Sequence, residues 1–504
     1  MKNKMKKLIK NIVIIVLFAV GFSGCDDYLD VNKPSDAVEI EDTPMQGLMG
    51  PVMLNTVYAN YYAELTFGNY TQYFGSYGSG AAGEAYNSDT WNNIYTKILP
   101  NIKQIRNKAS EINAVHYEAI AKILEAINMG FAVDNWDNVP YSQTGKPFEY
   151  PFPEFDSGKQ VYSQVISLLN EAISDLEGED PAADLPAAKI GSEDLIYNGD
   201  KGKWLRAAYT FKARYQLHMM KNGGVSASDV LATIANGFTS NADNFELYFP
   251  EGKINPYYST NILSRNTSNF YRAPNDQLIS MMNGTTYPFE SGIIAIDPRL
   301  PAIFENEGAI GDPWRGFMNG GSGESSDGEP ANTFYKDGGY HTSESAPLIL
   351  ITYAEAMFIK AEAAFLVNGG TTASVGSTSE AYGAYMMGIS ANMSQIDVDD
   401  DDGSDYMADA AVDVSEAELM LNHIMKEKYI ANIHNTETFN DMRRYDFSNE
   451  VFKGLELRLE EDSEGDYVGE WFRRVNYPLS EENANEENVL ANKQLPIVDV
   501  WWAK

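Results

Sequence analysis

The sequence has one cysteine in 504 residues, Cys25, so no disulfide can form within the chain. Its five histidines form no His-Glu-x-x-His pair, the spacing that places two zinc ligands on one face of a helix. The Gly-x-Ser-x-Gly motif of serine hydrolases is also missing, since the nearest stretch, Gly320–Glu324, ends in glutamate. These absences argue against thiol, zinc and serine hydrolase chemistry. We therefore expect no cofactor and no bound metal.

Basic residues are scarce: 37 Lys and Arg stand against 72 Asp and Glu, and the formal net charge is −35. A chain of this charge repels nucleic acid and anionic lipid, so we expect neither to bind its surface. The many acids also make any single pair of carboxylates uninformative about glycoside hydrolysis.

The densest acidic stretch, Asp397–Asp405, is predicted to be a loop between two helices. One interpretation is a calcium-binding loop. With Gly403 at the sixth position of such a loop, Val398 would take the first position, which requires a carboxylate. The alternative is a solvated acidic loop without an ion.

The N-terminal apolar run, Ile12–Phe22, has eleven residues, too few to span a bilayer comfortably. Five lysines precede it, and Phe22-Ser23-Gly24-Cys25 follows it. A basic segment, a short apolar segment and small residues before a cut are typical of a secretory signal. Cleavage before Cys25 would give a thiol at the new N-terminus, as lipoprotein processing requires. The alternative is an ordinary signal peptide with an incidental cysteine.

This interpretation divides the chain into three parts. We predict a lipoprotein signal peptide at 1–24, a lipid anchor and polar tether at 25–43, and a single ligand-binding domain at 44–504. Two or more acyl chains such as palmitate on Cys25 would give a stable anchor, because each buried CH₂ contributes roughly 0.8 kcal/mol.

Apolar residues recur with the helical period before residue 240 and after residue 350. Residues between about 240 and 345 instead favour loops with short strands. The pattern therefore predicts a mainly α protein with tetratricopeptide-like helix pairs and a long irregular, loop-rich insertion. The predicted helices start near Trp91 (with a kink at Pro100), Ala119, Val161 and Trp204, and again cover Thr352–Val367, Glu380–Met393 and Ser415–Ile433.

Two glycine-rich stretches concentrate aromatic and amide side chains, Asn69–Gly80 and Trp314–Gly328, and Tyr335 follows the second. Exposed rings can stack on sugar faces while amides and arginine bind hydroxyls. The alternative is that part of each cluster packs beneath its own loop. The predicted ligand-binding residues are Asn69, Tyr70, Gln72, Tyr73, Tyr77, Trp314, Arg315 and Tyr335.

Taken together, the motifs resemble the SusD/RagB-like nutrient-binding outer-membrane lipoproteins. Each motif alone has low specificity, but their order along the chain is specific. Together the motifs span nearly the whole mature protein. They are Cys25–Asp30 with Pro34, Trp91-x₃-Tyr95, Asn138–Tyr141, Trp204–Tyr209, Leu350–Ala356, Ala361–Ala364, Tyr385–Ile389, Phe439–Arg444 and Arg474–Pro478.

The resemblance implies a SusD-like α-superhelical fold, no catalysis and a lipid anchor in the outer membrane, facing the cell exterior. It further implies capture of oligosaccharides or polysaccharides for a partner, a SusC-like TonB-dependent transporter. The acidic residues Asp26 and Asp27 resemble a surface-export signal of this group.

Five charged residues of these motifs are predicted to fix helix packing through charge-assisted pairs and not to bind ligand. They are Glu355, Glu362, Arg443, Arg444 and Arg474.

Two alternative functions remain open on the sequence. A peptide-binding lid of the same fold would need charged partners in its pocket, such as Arg315 or Arg272. A lipoprotein glycosidase would need a carboxylate pair that sequence patterns do not reveal.

Overall fold

The computed structural model describes residues 43–75, 83–250, 252–267, 272–459 and 467–504. The predicted signal peptide, Cys25 and nearly all of the tether therefore lie outside the described residues. Residues 45–504 pack as one structural unit.

The N-terminal part is helical, apart from three very short strands. Its elements are α1 (Met45–Tyr70), β1 (Phe74–Gly75), α2 (Ser88–Asn92), a π-helical segment (Asn93–Ile98), α3 (Leu99–Glu111), α4 (Val115–Trp136), β2 (Val139–Pro140), β3 (Phe155–Asp156), α5 (Gly158–Glu177), α6 (Lys201–Met219) and α7 (Ala227–Ile234).

The buried faces of these helices match the predicted apolar stripes. In α5 the stripe from Val161 to Leu176 is buried, and Ser157 and Gln160 form a capping box at its start. Asp200 caps α6 by accepting a hydrogen bond from the Lys203 backbone N–H at 3.0 Å. Helices α4, α5 and α6 pack in sequence, as expected of stacked helix pairs.

The irregularity predicted at Pro100 is a π-helical segment that ends at Ile98, just before α3. Proline lacks a backbone N–H and its ring crowds the carbonyl four residues earlier, so it disfavours a regular helix at that point. The wider π turn keeps the chain helical, and Pro100 then takes a position in the first turn of α3, where it is tolerated.

The insertion consists of short elements, as predicted. They are β4 (Phe245–Leu247), a second π-helical segment (Tyr258–Leu263), α8 (Ser264–Asn266), β5 (Ala273–Pro274), α9 (Asp276–Met282), α10 (Arg299–Ile303), β6 (Phe304–Asn306) and β7 (Thr333–Tyr335).

The C-terminal part returns to helices after one strand. Its elements are β8 (Leu348–Ile351), α11 (Tyr353–Val367), α12 (Ser379–Gln395), α13 (Asp400–Met407), α14 (Ser415–Glu418), α15 (Leu421–Ala431), α16 (Glu437–Arg444), α17 (Leu479–Ala484) and α18 (Glu486–Asn492). The described strands pair only in twos, all antiparallel: β1 with β5, β2 with β3, β4 with β8 and β6 with β7.

Two local predictions in this part are wrong. The acidic segment is not a loop from Asp400 onward, because Asp399 caps α13 and three aspartates occupy its first turn, where the helix dipole favours negative charge. The helix predicted over Ser415–Ile433 is broken at Leu419. Carbonyls of Glu416 and Leu419 accept hydrogen bonds from Ser377 and Gly376, so tertiary contacts override the helical period there.

The predicted mainly α fold with helix pairs and an irregular insertion is confirmed. Its interior is nevertheless unusual, because α15 and α16 carry six buried charged residues into the core. We call the stretch 426–444 the charged segment. These residues are Lys426, Glu427, Lys428, Glu437, Asp441 and Arg443.

The charged segment joins the N-terminal and C-terminal helices. Glu437 of α16 receives a hydrogen bond from His218 of α6 at 2.7 Å. Arg444 pairs with Glu362 of α11 at 2.6 Å, and Lys428 pairs with Asp441 at 2.8 Å. Buried ions in this arrangement each have a partner, as burial of a charge requires.

Four of the five charged motif residues form ion pairs within the fold, as predicted, whereas Arg443 donates to uncharged oxygens. That none of the five binds ligand stays a prediction. Glu355 pairs with Arg214 of α6 at 2.6 Å, not with a motif arginine. Arg443 donates to the backbone carbonyls of Asp134 and Arg473, and Arg474 contacts Asp137 at 3.1 Å.

A second buried cluster lies between the insertion and α15. The guanidinium of Arg299 contacts Asp297 and Glu427, each at 2.6 Å, and all three side chains are fully buried. Burial by itself raises the pKa of Glu427, but Arg299 and Lys426 outweigh it and lower that pKa to about 2. The carboxylate therefore stays ionised within the core.

We expect Arg299→Met to lower the free energy of unfolding by about 3–5 kcal/mol, because it leaves Asp297 buried without its partner. Urea denaturation measures the change.

The control is Lys360→Met, which removes the half-exposed ion pair with Glu380 at 3.5 Å. That change should cost less than about 1 kcal/mol. Equal effects of the two substitutions would contradict the role given to Arg299.

Candidate functional site

The two glycine-rich stretches meet through backbone contacts of β1, β5 and residues 316–317. Phe74 and Gly75 of β1 pair with Pro274 and Ala273 of β5. The Phe317 backbone N–H donates to the Pro274 carbonyl at 2.9 Å, and the Asp276 N–H donates to the Phe317 carbonyl at 3.0 Å. Three segments distant in sequence thus form one small framework.

Two glycines make this close approach possible. A Cβ on Gly75 would lie 2.1 Å from the Phe317 carbonyl oxygen, and one on Gly316 would lie 2.5 Å from the Asn275 backbone. Any side chain at either position would force the three backbones apart.

Beside this framework lies a cavity of about 220 Å³. We call it the polar cavity. Most of its lining side chains are amides, hydroxyls or carboxylates: Gln72, Asn275, Asp276, Gln277, Ser280, Thr285, Thr286, Met318, Asn319, Ser326, Gly454, Glu456, Leu457 and Leu459. Its volume is below the roughly 300–1,000 Å³ of whole small-molecule sites, so it fits one part of a larger ligand.

The amides of the polar cavity are held in place by the protein. Gln72 donates from Nε2 to the Glu456 carbonyl at 3.2 Å, and Gln277 donates to the Lys453 carbonyl at 3.1 Å. Asn275 caps α9 by accepting from the Gln277 backbone N–H at 2.8 Å. These bonds fix the side chains before any ligand arrives, which lowers the entropy that binding must overcome.

Three of the predicted aromatic residues lie in the interior. The Tyr73 ring stacks on Tyr429 with centroids 4.5 Å apart, and its hydroxyl donates to the Tyr429 carbonyl at 2.5 Å. Tyr70 packs against Phe439 and Phe472. The Tyr335 ring is 1% exposed.

Burial also determines the ionisation state of these three phenols. It raises the pKa of Tyr70, Tyr73 and Tyr335 well above the ordinary value, so all three stay neutral. In this structure their rings present no face to a ligand, and the described lining of the polar cavity contains no aromatic ring. These three residues therefore agree with the alternative interpretation, in which part of each cluster packs beneath its own loop.

Of the other predicted residues, Asn69, Trp314 and Arg315 lie closer to the surface. Asn69 is half-buried, and its carbonyl accepts from Asn319 Nδ2 at 3.0 Å. Trp314 is half-buried, and its carbonyl accepts from Asn283 at 2.9 Å. Tyr77 lies outside the described residues, and of the seven that are described only Gln72 lines the polar cavity.

The two arginines considered for a peptide site are engaged elsewhere. Arg315 contacts Asp327 at 2.7 Å, and this hydrogen bond raises the pKa of Arg315 and lowers that of Asp327. The guanidinium of Arg272 lies 5.5 Å from the centre of the Phe74 ring. Neither side chain lines the polar cavity.

Sequence reasoning missed the residues at the start of α9 that form one wall, Asn275, Asp276 and Gln277. None of the three is aromatic, and they do not lie in a glycine-rich stretch. The signal that could have found them is the Asn-Asp pair before an apolar run, which is typical of a helix start and places polar groups together.

A second, larger cavity of about 450 Å³ lies against α3 and α4. Its charges are already paired: Arg106 contacts Glu125 at 2.5 Å, and Lys103 donates to the Gly145 carbonyl at 2.7 Å. Because no described residue of either aromatic cluster lines this second cavity, the polar cavity is the better candidate site.

The described residues contain no group of three or more His, Cys, Asp or Glu side chains placed to hold a metal ion. Within the same part of the chain, no helix has the length and apolarity to cross a membrane.

The burial of Tyr73 gives a direct prediction. We expect Tyr73→Ala to lower the free energy of unfolding by roughly 3–5 kcal/mol, as for other buried aromatic deletions. Chemical denaturation measures it.

Phe148→Ala is the matched control, because the Phe148 side chain is fully exposed, and we expect no measurable change. A Tyr73→Ala protein of parental stability would show that the ring does not support the core.

Comparison with known proteins gives the family of this chain. A family model described as "SusD-like", "Starch-binding associating with outer membrane", matches residues 36–478. A search of curated protein sequences gives no match.

Solved structures share the fold. A SusD/RagB family protein from Bacteroides thetaiotaomicron is 22% identical with a TM-score of 0.70, covering 92% of this chain and 99% of its own. A SusD homologue from Bacteroides uniformis is 20% identical with a TM-score of 0.69, covering 91% and 99%. A chitin-binding SusD homologue from Flavobacterium johnsoniae is 19% identical with a TM-score of 0.69, covering 91% and 98%.

The family match covers most of the chain, and the structural matches show the same helical fold at low identity. The predicted resemblance is therefore confirmed: this chain belongs to the SusD-like family, whose description places it in association with the outer membrane.

Proposed function

We propose that this protein is a surface-exposed lipoprotein of the outer membrane that binds oligosaccharides or polysaccharides without cleaving them. It delivers them to a partner TonB-dependent transporter of the SusC-like type. Its mechanism is capture and transfer, and no bond is made or broken.

The observation that carries this proposal is the polar cavity at the meeting point of the two predicted binding stretches. Glycans present many hydroxyls, and each hydroxyl both donates and accepts hydrogen bonds. Fixed amides, hydroxyls and carboxylates such as Gln72, Gln277 and Asp276 provide the matching partners. The starch-binding description of the family and the chitin-binding homologue support the same ligand class.

The proposed site joins the surface members of the predicted set to the residues of the cavity wall. Gln72 lies in the cavity, while Asn69, Trp314 and Arg315 lie in the stretches that surround it. Tyr77 stays a proposed stacking residue. Tyr70, Tyr73 and Tyr335 support this site from below.

The anchoring and the partner are further parts of the proposal. Cys25 carries the lipid, and residues 25–43 connect it to α1. With a formal net charge of −35, the protein gains no attraction to anionic lipid, so covalent lipid is the means of attachment.

Glycan binding is tested by isothermal titration of the mature protein against plant, host and microbial polysaccharides. We expect Gln277→Ala to weaken binding by about 3- to 10-fold, the effect of one lost hydrogen bond of roughly 0.5–1.5 kcal/mol.

Asn107→Ala is the control, since Asn107 is an amide of the second cavity and should leave binding unchanged. If only Asn107→Ala weakened binding, the site would lie in the second cavity, against α3. No binding to any polysaccharide would overturn the glycan-binding function.

The anchor is tested by growth with radiolabelled palmitate. The parent protein should take up label, and Cys25→Ala should take up none. Label retained by Cys25→Ala would contradict lipidation at this residue.

A further inference from the structure

Every formal charge in the described lining of the polar cavity is negative. Asp276 and Glu456 contribute carboxylates, and none of the lysines or arginines that the structure describes belongs to the lining. The surrounding loop adds Glu324, whose carboxylate accepts from the Ser322 backbone N–H at 2.9 Å. A ligand in this cavity therefore meets a negative potential.

The hydrogen-bond donors of the lining are largely committed within the protein. Asn275 Nδ2 donates to Gln72 Oε1 at 3.1 Å, and Ser326 donates to Asp276 Oδ2 at 2.5 Å. Gln72, Gln277 and Asn319 each donate to a backbone carbonyl, as described above. The wall offers a ligand the carboxylates of Asp276 and Glu456 together with the hydroxyls of Thr285 and Thr286.

Glu456 is the exposed carboxylate of the pair and lies at the edge of the cavity. Asp276 is half-buried, and its other oxygen accepts from the Ser325 hydroxyl. One carboxylate is thus fixed in the wall, and the other is exposed to solvent.

On the basis of the glycan-binding function above, we propose that the polar cavity selects glycans by charge. It accepts neutral sugars and favours sugars with protonated amino groups. It rejects sugars with carboxylate or sulfate groups, because an anion would face like charges and, in the described lining, no lysine or arginine.

The experiment compares three forms of each of two oligosaccharides, one α-linked and one β-linked glucan. The forms are the neutral sugar, its uronate made by oxidation of the primary alcohols, and its aminated derivative. Titration at low salt and mildly acidic pH, where the amines carry charge, gives the three affinities. We expect the uronate to bind at least about 10-fold more weakly than the neutral form, and the aminated form more tightly.

Two variants identify the source of the selectivity. Glu456→Gln and Asp276→Asn should each reduce the difference between the uronate and the aminated form. Asp400→Asn removes the same charge from α13, outside the cavity lining, and should leave the difference unchanged. Because Asp276 also holds two serines, Glu456→Gln tests the charge effect without disturbing that loop.

The outcomes separate the two proposals. A uronate that binds as tightly as the neutral form, or a preference that both cavity variants retain, overturns the charge selectivity and leaves the glycan-binding function standing. Failure of all six sugars to bind, together with failure of the wider polysaccharide panel, overturns both.

Discussion

The fold depends on ionic pairs buried in the charged segment at 426–444. A charge in the core is tolerable only with a partner at contact distance, and three of these pairs join the segment to other elements. Glu437 meets His218 of α6, Arg444 meets Glu362 of α11, and Glu427 meets Arg299 of α10. Since ion pairs are directional where apolar contacts are not, they fix how the helix layers sit on one another.

The same segment also supports the candidate site. Tyr429 of α15 stacks on Tyr73, and its hydroxyl donates to the carbonyls of Thr71 and Gln72 at 2.9 and 3.0 Å. The backbone that leads into β1 is thereby fixed to the core. Gln72, which adopts a left-handed backbone conformation, is then held with its amide in the cavity wall.

This arrangement gives the aromatic residues a different role from the one that composition suggests. The rings of Tyr70, Tyr73 and Tyr335 are buried beneath the site, and the Tyr73 hydroxyl donates to the carbonyl of the buried Tyr429. The surface above is formed by amides, hydroxyls and acids on short turns. Hydrogen bonding and charge are therefore the recognition forces that the described cavity provides, and stacking is not among them.

The sequence alone predicted much of the fold. The local signals were apolar residues with the helical period, capping residues such as Ser157 and Asp200, and the switch to irregular sequence near residue 240. The buried faces of the helices agree with these signals. The family motifs were also recognisable in the sequence. The helix over Asp400–Met407 and the break at Leu419 were not predicted, because a cap and two tertiary hydrogen bonds outweighed the local pattern there.

For the site, the sequence singled out two glycine-rich stretches, but it showed neither that they meet nor which of their residues face outward. Gly75 and Gly316 permit the close backbone contact, yet only the fold shows that β5 pairs with β1 and brings Asn275 and Gln277 to the cavity. Whether a tyrosine is a ligand platform or a core residue depends on what packs against it. The partners of Tyr73, Tyr429 and Thr438, lie more than 350 residues away along the chain, so only tertiary structure decided its burial.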